Sequence, residues 1–224
     1  ENARSFGVPV GNARVIHSGV DTEKFTFKAR DSLSLPLRII IPGRIEEKKG
    51  QLDGVRLVHA LRAHGVDAVL TLVGSIAQEE YLERIKAEIA QYGLLGKVII
   101  HPFADQEELV SLYHQSDICF FSSYHRSGFS RVPLEAMACG CMVISYGNEG
   151  SDEVLIQGNN GFLLDEGDIE GGYVIVTRLI KSPGLFSSII SNARQFIEDH
   201  HSLSVYIETI NRLFSGNHKN APLS

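Results

Sequence analysis

Short apolar runs alternate with amphipathic helical segments along most of this 224-residue chain. Residues 37–41 form a β-branched run that ends at Pro42-Gly43, which predicts a buried strand. Residues 49–64 carry apolar side chains at helical spacing and end before Gly65, which predicts a helix. Because the strands are continuously apolar and single helices separate them, the pattern predicts a parallel sheet covered by helices on both faces.

Strand and helix patterns alternate along most of the chain. We predict strands at residues 37–41, 69–73, 98–101, 118–122, 142–145 and 161–164, and helices at residues 49–64, 78–92, 106–115, 133–138, 152–156, 171–181, 185–200 and 203–214. Asp105 is the expected N-cap of the third helix, with Glu108 at the capping-box position. The predicted fold is therefore a doubly wound, Rossmann-like α/β domain of about six strands, followed by C-terminal helices.

Composition excludes several classes of protein. The formal charge of -6 and the absence of runs of Lys and Arg argue against sequence-independent nucleic-acid binding. The apolar runs are far shorter than the roughly 20 residues that span a bilayer. Cys119, Cys139 and Cys141 lie in apolar or glycine-rich surroundings, so we expect buried thiols and no metal site.

The loops that follow the strands hold the candidate site, because ligands of open parallel sheets bind at the carboxyl ends of the strands. After the first strand, Arg44 and Lys49 bring two cations to this edge, and Gly43 allows the backbone to approach a ligand closely. An ordinary solvated, charged loop is the alternative explanation for this segment.

The loop after the fourth strand leads into a short helix with Pro133 in its first turn. The amides and the dipole at a helix start favour an anion such as phosphate. Glu135 lies about one turn inside this apolar helix, so its carboxylate is either a surface group or a hydroxyl acceptor that faces the cleft. A third loop, residues 147–153, is rich in glycine and is expected to enter another short helix.

Six segments, taken in order, resemble a known family. They are Gly43-Arg44 with Lys49-Gly50, the Val73-Gly74 strand end, residues 112–117, residues 128–140, Glu153-Val154 and residues 158–162. The series resembles the C-terminal, nucleotide-sugar-binding domain of GT-B retaining glycosyltransferases of the glycosyltransferase group 1 class (family 4). The resemblance covers residues 15–214, and residues 15–25 resemble the segment that leads into this domain from an N-terminal Rossmann-like domain.

The resemblance implies a role for each matching residue. Arg44 and Lys49 match the cations that neutralise the donor diphosphate and help it leave, and Gly43 adjoins them. Glu135 matches the second Glu of the Glu-x7-Glu motif, which implies a contact with the ribose hydroxyls. Phe103 lies where the nucleotide base packs, although core packing would explain it equally well. The loop that meets the phosphates and the sugar corresponds to residues Ser127, Gly128, Phe129, Ser130, Arg131 and Val132. The backbone amides of the last three, at the helix start, are the ones expected to contact the phosphates.

Two positions depart from the family pattern. The first Glu of the motif, which contacts the donor sugar, is replaced by Ser127, so the sugar is held differently or catalysis is weaker. His125 and Arg126 lie just before it and are candidates to substitute. Ser130 stands where the family usually has glycine, and its side chain limits how closely the backbone can approach a ligand.

The implied reaction is the transfer of a hexose-type sugar from a UDP-, GDP- or ADP-sugar, with retention and with neither metal nor cofactor. We interpret residues 1–30 as a segment arriving from an N-terminal domain, residues 31–214 as the donor domain and residues 215–224 as a frayed tail. A glycan or lipid-linked acceptor would bind through that N-terminal domain, and this half would be inactive alone. The resemblance also implies a cytoplasmic enzyme with peripheral contact at the inner face of the membrane.

The sequence leaves three alternative functions. Ser127 leaves open a nucleotide-sugar-binding module that has lost catalysis. A related enzyme on the same two-domain fold, such as a nucleotide-sugar epimerase or a glycan phosphorylase, is the second. A nicotinamide-dependent dehydrogenase needs a Gly-x-Gly-x-x-Gly turn after the first strand, whereas here no glycine lies between Gly43 and Gly50.

Overall fold

The computed structural model describes residues 15–215 and contains a six-stranded sheet in which every neighbouring pair of strands is parallel. The strands are β1 (Leu37–Pro42), β2 (Ala68–Val73), β3 (Val98–His101), β4 (Ile118–Phe121), β5 (Met142–Ser145) and β6 (Phe162–Leu163). Their order across the sheet is β3-β2-β1-β4-β5-β6. This order confirms the predicted doubly wound, Rossmann-like α/β fold.

Seven α-helices accompany the sheet in this described part. They are α1 (Gln51–Ala63), α2 (Glu79–Gln91), α3 (Gln106–Gln115), α4 (Val132–Ala138), α5 (Ile169–Lys181), α6 (Pro183–Phe196) and α7 (Leu203–Phe214). The predicted N-cap of α3 is confirmed, because the Asp105 carboxylate accepts a hydrogen bond from the Glu108 amide at 2.8 Å. Pro133 lies in the first turn of α4, as predicted.

Three helix predictions are wrong in detail. The helix predicted at residues 49–64 begins at Gln51, because Gly50 adopts a left-handed conformation (φ 67°) after a 3-10 turn at Glu47–Lys49. The helix predicted at residues 152–156 is only a 3-10 turn, Ser151–Glu153, after which Val154 and Leu155 are buried in the core. The helix predicted at residues 185–200 changes to a π-helical turn at Ile197–His201.

The core lies on both faces of the sheet. Alternate side chains of β1 point to opposite faces, so Ile39 and Ile41 pack in one apolar cluster and Ile40 packs in the other. Helices α1 and α5 cover the first face, and α4 covers the second. The three cysteines are fully buried free thiols on or beside the second face, as predicted.

The segment predicted to connect two domains contributes to this core from residue 15 onward. Val20 and Phe25 are buried, and the Val20 amide donates to the carbonyl of His201 at 2.7 Å. The remainder of that segment, residues 1–14, and residues 216–224 of the predicted tail lie outside the described residues. Between residues 15 and 215, no single helix has the length and apolar character needed to cross a membrane.

Candidate functional site

The candidate site lies where β1 and β4 meet at the carboxyl edge of the sheet. From this pair, the chain order runs outward through β2 and β3 on one side and through β5 and β6 on the other. Such a reversal opens a crevice between the loops that follow the two central strands, and doubly wound proteins bind their ligands there. The loops after β1, β4 and β5 are therefore the segments that can contact a ligand.

The loop after β1 is held tightly against the loop after β4. The Ser122 hydroxyl contacts the carbonyl oxygens of Lys49 at 3.1 Å and Gly50 at 3.0 Å, and the Tyr124 amide donates to the carbonyl of Lys48 at 2.8 Å. A side chain at Gly50 would collide with the Ser122 carbonyl oxygen, so this close approach requires glycine. The backbone that carries the two predicted cations is thus fixed at the crevice.

Both predicted cations lie on this loop, and each is paired with a carboxylate. The Lys49 ammonium forms an ion pair with Glu149, and only 17% of the Lys49 side chain is exposed. The Arg44 guanidinium lies 3.1 Å from a carboxylate oxygen of Glu46, and 60% of its side chain is exposed. Lys49 therefore has a defined position, whereas Arg44 is accessible to a ligand from solvent.

Glu149 is a site residue that sequence reasoning did not single out. It lies in the loop after β5, its side chain is 7% exposed, and it accepts hydrogen bonds from Lys49 and from the Ser123 hydroxyl (2.9 Å for the latter). Among residues 15–215 it is the one residue other than glycine with a positive φ, 51°. The printed sequence shows only a glutamate in a glycine-rich loop and gives no signal of a partner 100 residues away.

The loop after β4 brings the residues from Ser127 to Val132 to the same crevice. Ser127 lies at its exposed end, where its hydroxyl is 3.1 Å from Nε2 of His125. Phe129 packs against the ring of His17, with 4.9 Å between the ring centroids. Gly128 precedes it with a left-handed φ of 92°.

Two of the three amides expected to contact the phosphates already have acceptors within the chain. The Ser130 amide donates to the carbonyl of Glu149 at 2.9 Å, and the Val132 amide donates to the Ser130 hydroxyl at 3.3 Å. These two bonds instead join the loop after β4 to the loop after β5 and shape the start of α4. The cationic side chains are therefore stronger candidates for anion binding than the start of this seven-residue helix.

Glu135 is buried on α4, so the surface alternative is excluded. Its nearest cation is Arg131, one turn earlier, at 3.7 Å. Burial raises the pKa of the Glu135 carboxyl, and the charge of Arg131 partly offsets this rise. A buried carboxylate with few partners is a strong acceptor for ligand hydroxyl groups.

Phe103 follows β3 and is 71% exposed, which excludes core packing as its explanation. Gly43 directly follows β1, and its amide donates to the carbonyl of Val73 at 2.8 Å. Gln51, which is fully buried, donates to the carbonyl of Arg44 at 2.8 Å and so fixes the start of the cationic loop. The structure thus places these residues on the loops along one edge of the sheet.

A cavity of about 560 Å³ opens beside this crevice, between the loops after β4, β5 and β6. Ser127 and Gly128 lie on one of its walls, and Tyr146 and Glu149 contribute from the loop after β5. Its volume is within the usual range for small-molecule sites. The cavity therefore extends the crevice on the side of the position where the motif glutamate is replaced by serine.

A buried carboxylate behind the crevice joins three of its elements. Asp53 on α1 accepts hydrogen bonds from the hydroxyls of Tyr124 and Tyr146 (3.0 Å for the latter) and pairs with Arg56 at 3.1 Å. Burial raises the pKa of both tyrosines, so their hydroxyls stay protonated and donate. This network, which the sequence pattern did not reveal, holds the loops after β4 and β5 against α1.

The family model for glycosyl transferases group 1 matches residues 24–196. The amylovoran biosynthesis glycosyltransferase AmsK of Erwinia amylovora is 30% identical over 199 residues, which are 87% of this chain and 48% of AmsK. The chain belongs to the glycosyl transferases group 1 family and spans about half the length of this curated relative.

Solved structures show the same fold. HepE of Anabaena, in complex with UDP, superimposes with a TM-score of 0.83 at 21% identity, over 95% of this chain and 60% of HepE. The C-terminal domain of the group 1 protein LpcC of Francisella tularensis superimposes with a TM-score of 0.73 at 24% identity, over 83% of this chain and 100% of that domain. The chain thus has the fold of the C-terminal domain of a GT-B glycosyltransferase, as the resemblance implied.

Proposed function

We propose that this chain is the donor-binding domain of a retaining glycosyltransferase that transfers a hexose-type sugar from a nucleoside-diphosphate sugar to a glycan or lipid-linked acceptor. The observation that carries the proposal is the position of Lys49 and Arg44, on a fixed loop at the point where the strand order reverses. Family membership and the UDP-bound structure of HepE support it. The acceptor would bind through a further domain, as the coverage of AmsK suggests.

Lys49 and Arg44 would hold the diphosphate. A lysine ammonium has three N–H donors, and Glu149 engages Lys49 without using all of them, so two remain for phosphate oxygens. Arg44 has an exposed guanidinium that can form paired hydrogen bonds with a phosphate. Both cations would stabilise the negative charge that develops on the departing nucleoside diphosphate.

Glu135 would accept hydrogen bonds from the ribose hydroxyls, and Phe103 would pack against the base. The buried position of Glu135 supports this role, because a shielded carboxylate binds hydroxyl groups more strongly than a solvated one. The 71% exposure of the Phe103 side chain leaves its ring available for stacking. We also propose that the full enzyme is cytoplasmic, with peripheral contact at the inner membrane face.

The test is a thermal-shift panel of UDP, GDP and ADP. We expect at least one of them to raise the Tm, and we expect Arg44→Ala combined with Lys49→Ala to abolish the shift measured from the variant's own Tm. Lys86→Ala is the matched control, since Lys86 is an exposed cation paired with Glu83 on α2. A folded chain that no nucleoside diphosphate stabilises would refute the proposal.

The role of Glu135 needs its own comparison. Glu135→Gln should weaken nucleoside-diphosphate binding about tenfold, because it removes a charged acceptor, and should leave inorganic pyrophosphate binding unchanged. An equal loss for both ligands would reject the ribose contact.

A further inference from the structure

Glu149 connects the proposed diphosphate site with the neighbouring cavity. One of its carboxylate oxygens binds the Lys49 ammonium and the Ser123 hydroxyl, and the residue itself forms part of the cavity wall. Only 7% of its side chain is exposed. If the diphosphate of a ligand binds Lys49, the part of the ligand attached to that diphosphate would therefore lie beside Glu149.

The backbone at Glu149 is held in a conformation that glutamate rarely adopts. Its φ of 51° lies in the left-handed region, which is unfavourable for side chains other than glycine, asparagine and aspartate. The bond from the Ser130 amide to the Glu149 carbonyl and the ion pair with Lys49 hold it there. Residues kept in such conformations cluster at functional sites, where the surrounding structure imposes them.

The cavity wall is acidic beyond Glu149. Four more carboxylates line it: Asp152, Glu153, Asp165 and Glu166. Its arginine, Arg126, already pairs with Glu166 at 3.1 Å, and His17 contacts Glu153 at 2.6 Å, so neither of these groups balances the charges of Asp152 and Asp165. Carboxylates accept hydrogen bonds from hydroxyl groups and repel another carboxylate, so this wall suits an uncharged polyhydroxylated ligand.

Ser127 lines the same cavity as Glu149, and it occupies the position where the family pattern has a carboxylate. Resting on the proposed function, we propose that Glu149 accepts hydrogen bonds from the donor-sugar hydroxyls in this cavity, so that the enzyme takes an uncharged sugar rather than a uronic acid. Lys49 would then meet the diphosphate and Glu149 the sugar, with their ion pair fixing the two groups relative to one another.

The first experiment compares Glu149→Gln with the unaltered chain by calorimetric titration. The ligands are UDP and the tightest binder among UDP-glucose, UDP-galactose and UDP-N-acetylglucosamine, or the GDP or ADP equivalents if the panel above selects another base. The ratio of Kd for the nucleotide sugar to Kd for the nucleotide should rise about tenfold in the variant, since a charged acceptor of the sugar hydroxyls is lost. Glutamine keeps the side-chain shape, and Glu83→Gln, on the exposed face of α2, should leave the ratio unchanged.

The second experiment needs no variant. UDP-glucuronate differs from UDP-glucose only in a carboxylate at C6, and it should bind the unaltered chain at least about tenfold more weakly because of like-charge repulsion. This inference would be overturned by an unchanged Kd ratio in Glu149→Gln, or by UDP-glucuronate that binds as tightly as UDP-glucose. If the unaltered chain still binds UDP in that case, the proposed function is unaffected. Failure of the unaltered chain to bind any nucleoside diphosphate would overturn both.

Discussion

The ion pair between Lys49 and Glu149 gives the sharpest stability prediction. Lys49→Met removes the ammonium and keeps the length of the side chain, which leaves the Glu149 carboxylate buried with Ser123 as a hydrogen-bond donor. Breaking a buried pair on one side costs about 3–5 kcal/mol, because the other charge stays uncompensated. We expect about 3 kcal/mol, the lower end, since 17% of the Lys49 side chain remains in contact with solvent.

This loss should lower the Tm by about 6–12 °C for a chain of this size. The loss of unfolding free energy is measured by urea denaturation, monitored by far-ultraviolet circular dichroism because the chain has no tryptophan. Glu149→Gln in the Lys49→Met background should recover at least about 1.5 kcal/mol, because no buried charge is then left alone.

Arg44→Met is the matched control. The Arg44 side chain is 60% exposed, and Lys48 lies 3.6 Å from the same Glu46 carboxylate, so this change should cost less than about 1 kcal/mol. Two results would show that water screens the pair and that Lys49 has no fixed position. One is a loss of unfolding free energy below about 1 kcal/mol for Lys49→Met, and the other is a Lys49→Met, Glu149→Gln double variant whose loss equals the sum of the two single losses.

Four further substitutions probe buried groups of the chain. Tyr146→Phe should lower the unfolding free energy by about 1 kcal/mol and Asp53→Asn by about 2 kcal/mol, because the first removes one donor and the second the charge that Tyr124 and Tyr146 share; urea melts that match the unaltered chain would contradict this. Burial lowers the pKa of His201 to about 4, so stability should fall by about 3 kcal/mol between pH 6.5 and pH 4, where the unfolded imidazole gains its proton first. His201→Phe should flatten that dependence, and an unchanged pH profile would contradict the assignment. Glu135→Gln should raise the Tm at pH 7, because burial raises the pKa of this carboxyl and its ionised form is therefore destabilising above that pKa; an equal gain at pH 4 would refute this cause.

Much of the fold follows from local pattern, and the exceptions have local causes. The buried run at residues 37–41 and the turn at Pro42-Gly43 suffice to predict β1, since a β-branched run this short, bounded by Pro and Gly, favours a strand over a helix. Helix α1 begins two residues later than predicted because Gly50 is left-handed, and the need for glycine at this position comes from the distant Ser122 carbonyl, which leaves no space for a side chain. The order of the strands is a property of the whole sheet and is not encoded in any single segment.

The sequence predicts only part of the candidate site. The positions of Arg44, Lys49 and Glu135 follow from their place after strands, because every parallel strand ends at the same edge. The ion pair that engages Lys49 could not be predicted, because it joins loops 100 residues apart. The glycine-rich loop that contains Glu149 also has the composition of an ordinary turn. The Asp53 network is hidden for the same reason, because an acidic residue in the first turn of a helix is usually a solvated dipole partner.

The most direct test of the central claim is a crystal structure of this chain with the nucleoside diphosphate that stabilises it most. We predict phosphate oxygens within hydrogen-bonding distance of Lys49 Nζ and of the Arg44 guanidinium, with the ribose hydroxyls at Glu135. A nucleotide bound elsewhere, or a diphosphate that contacts neither cation, would contradict the proposed donor site.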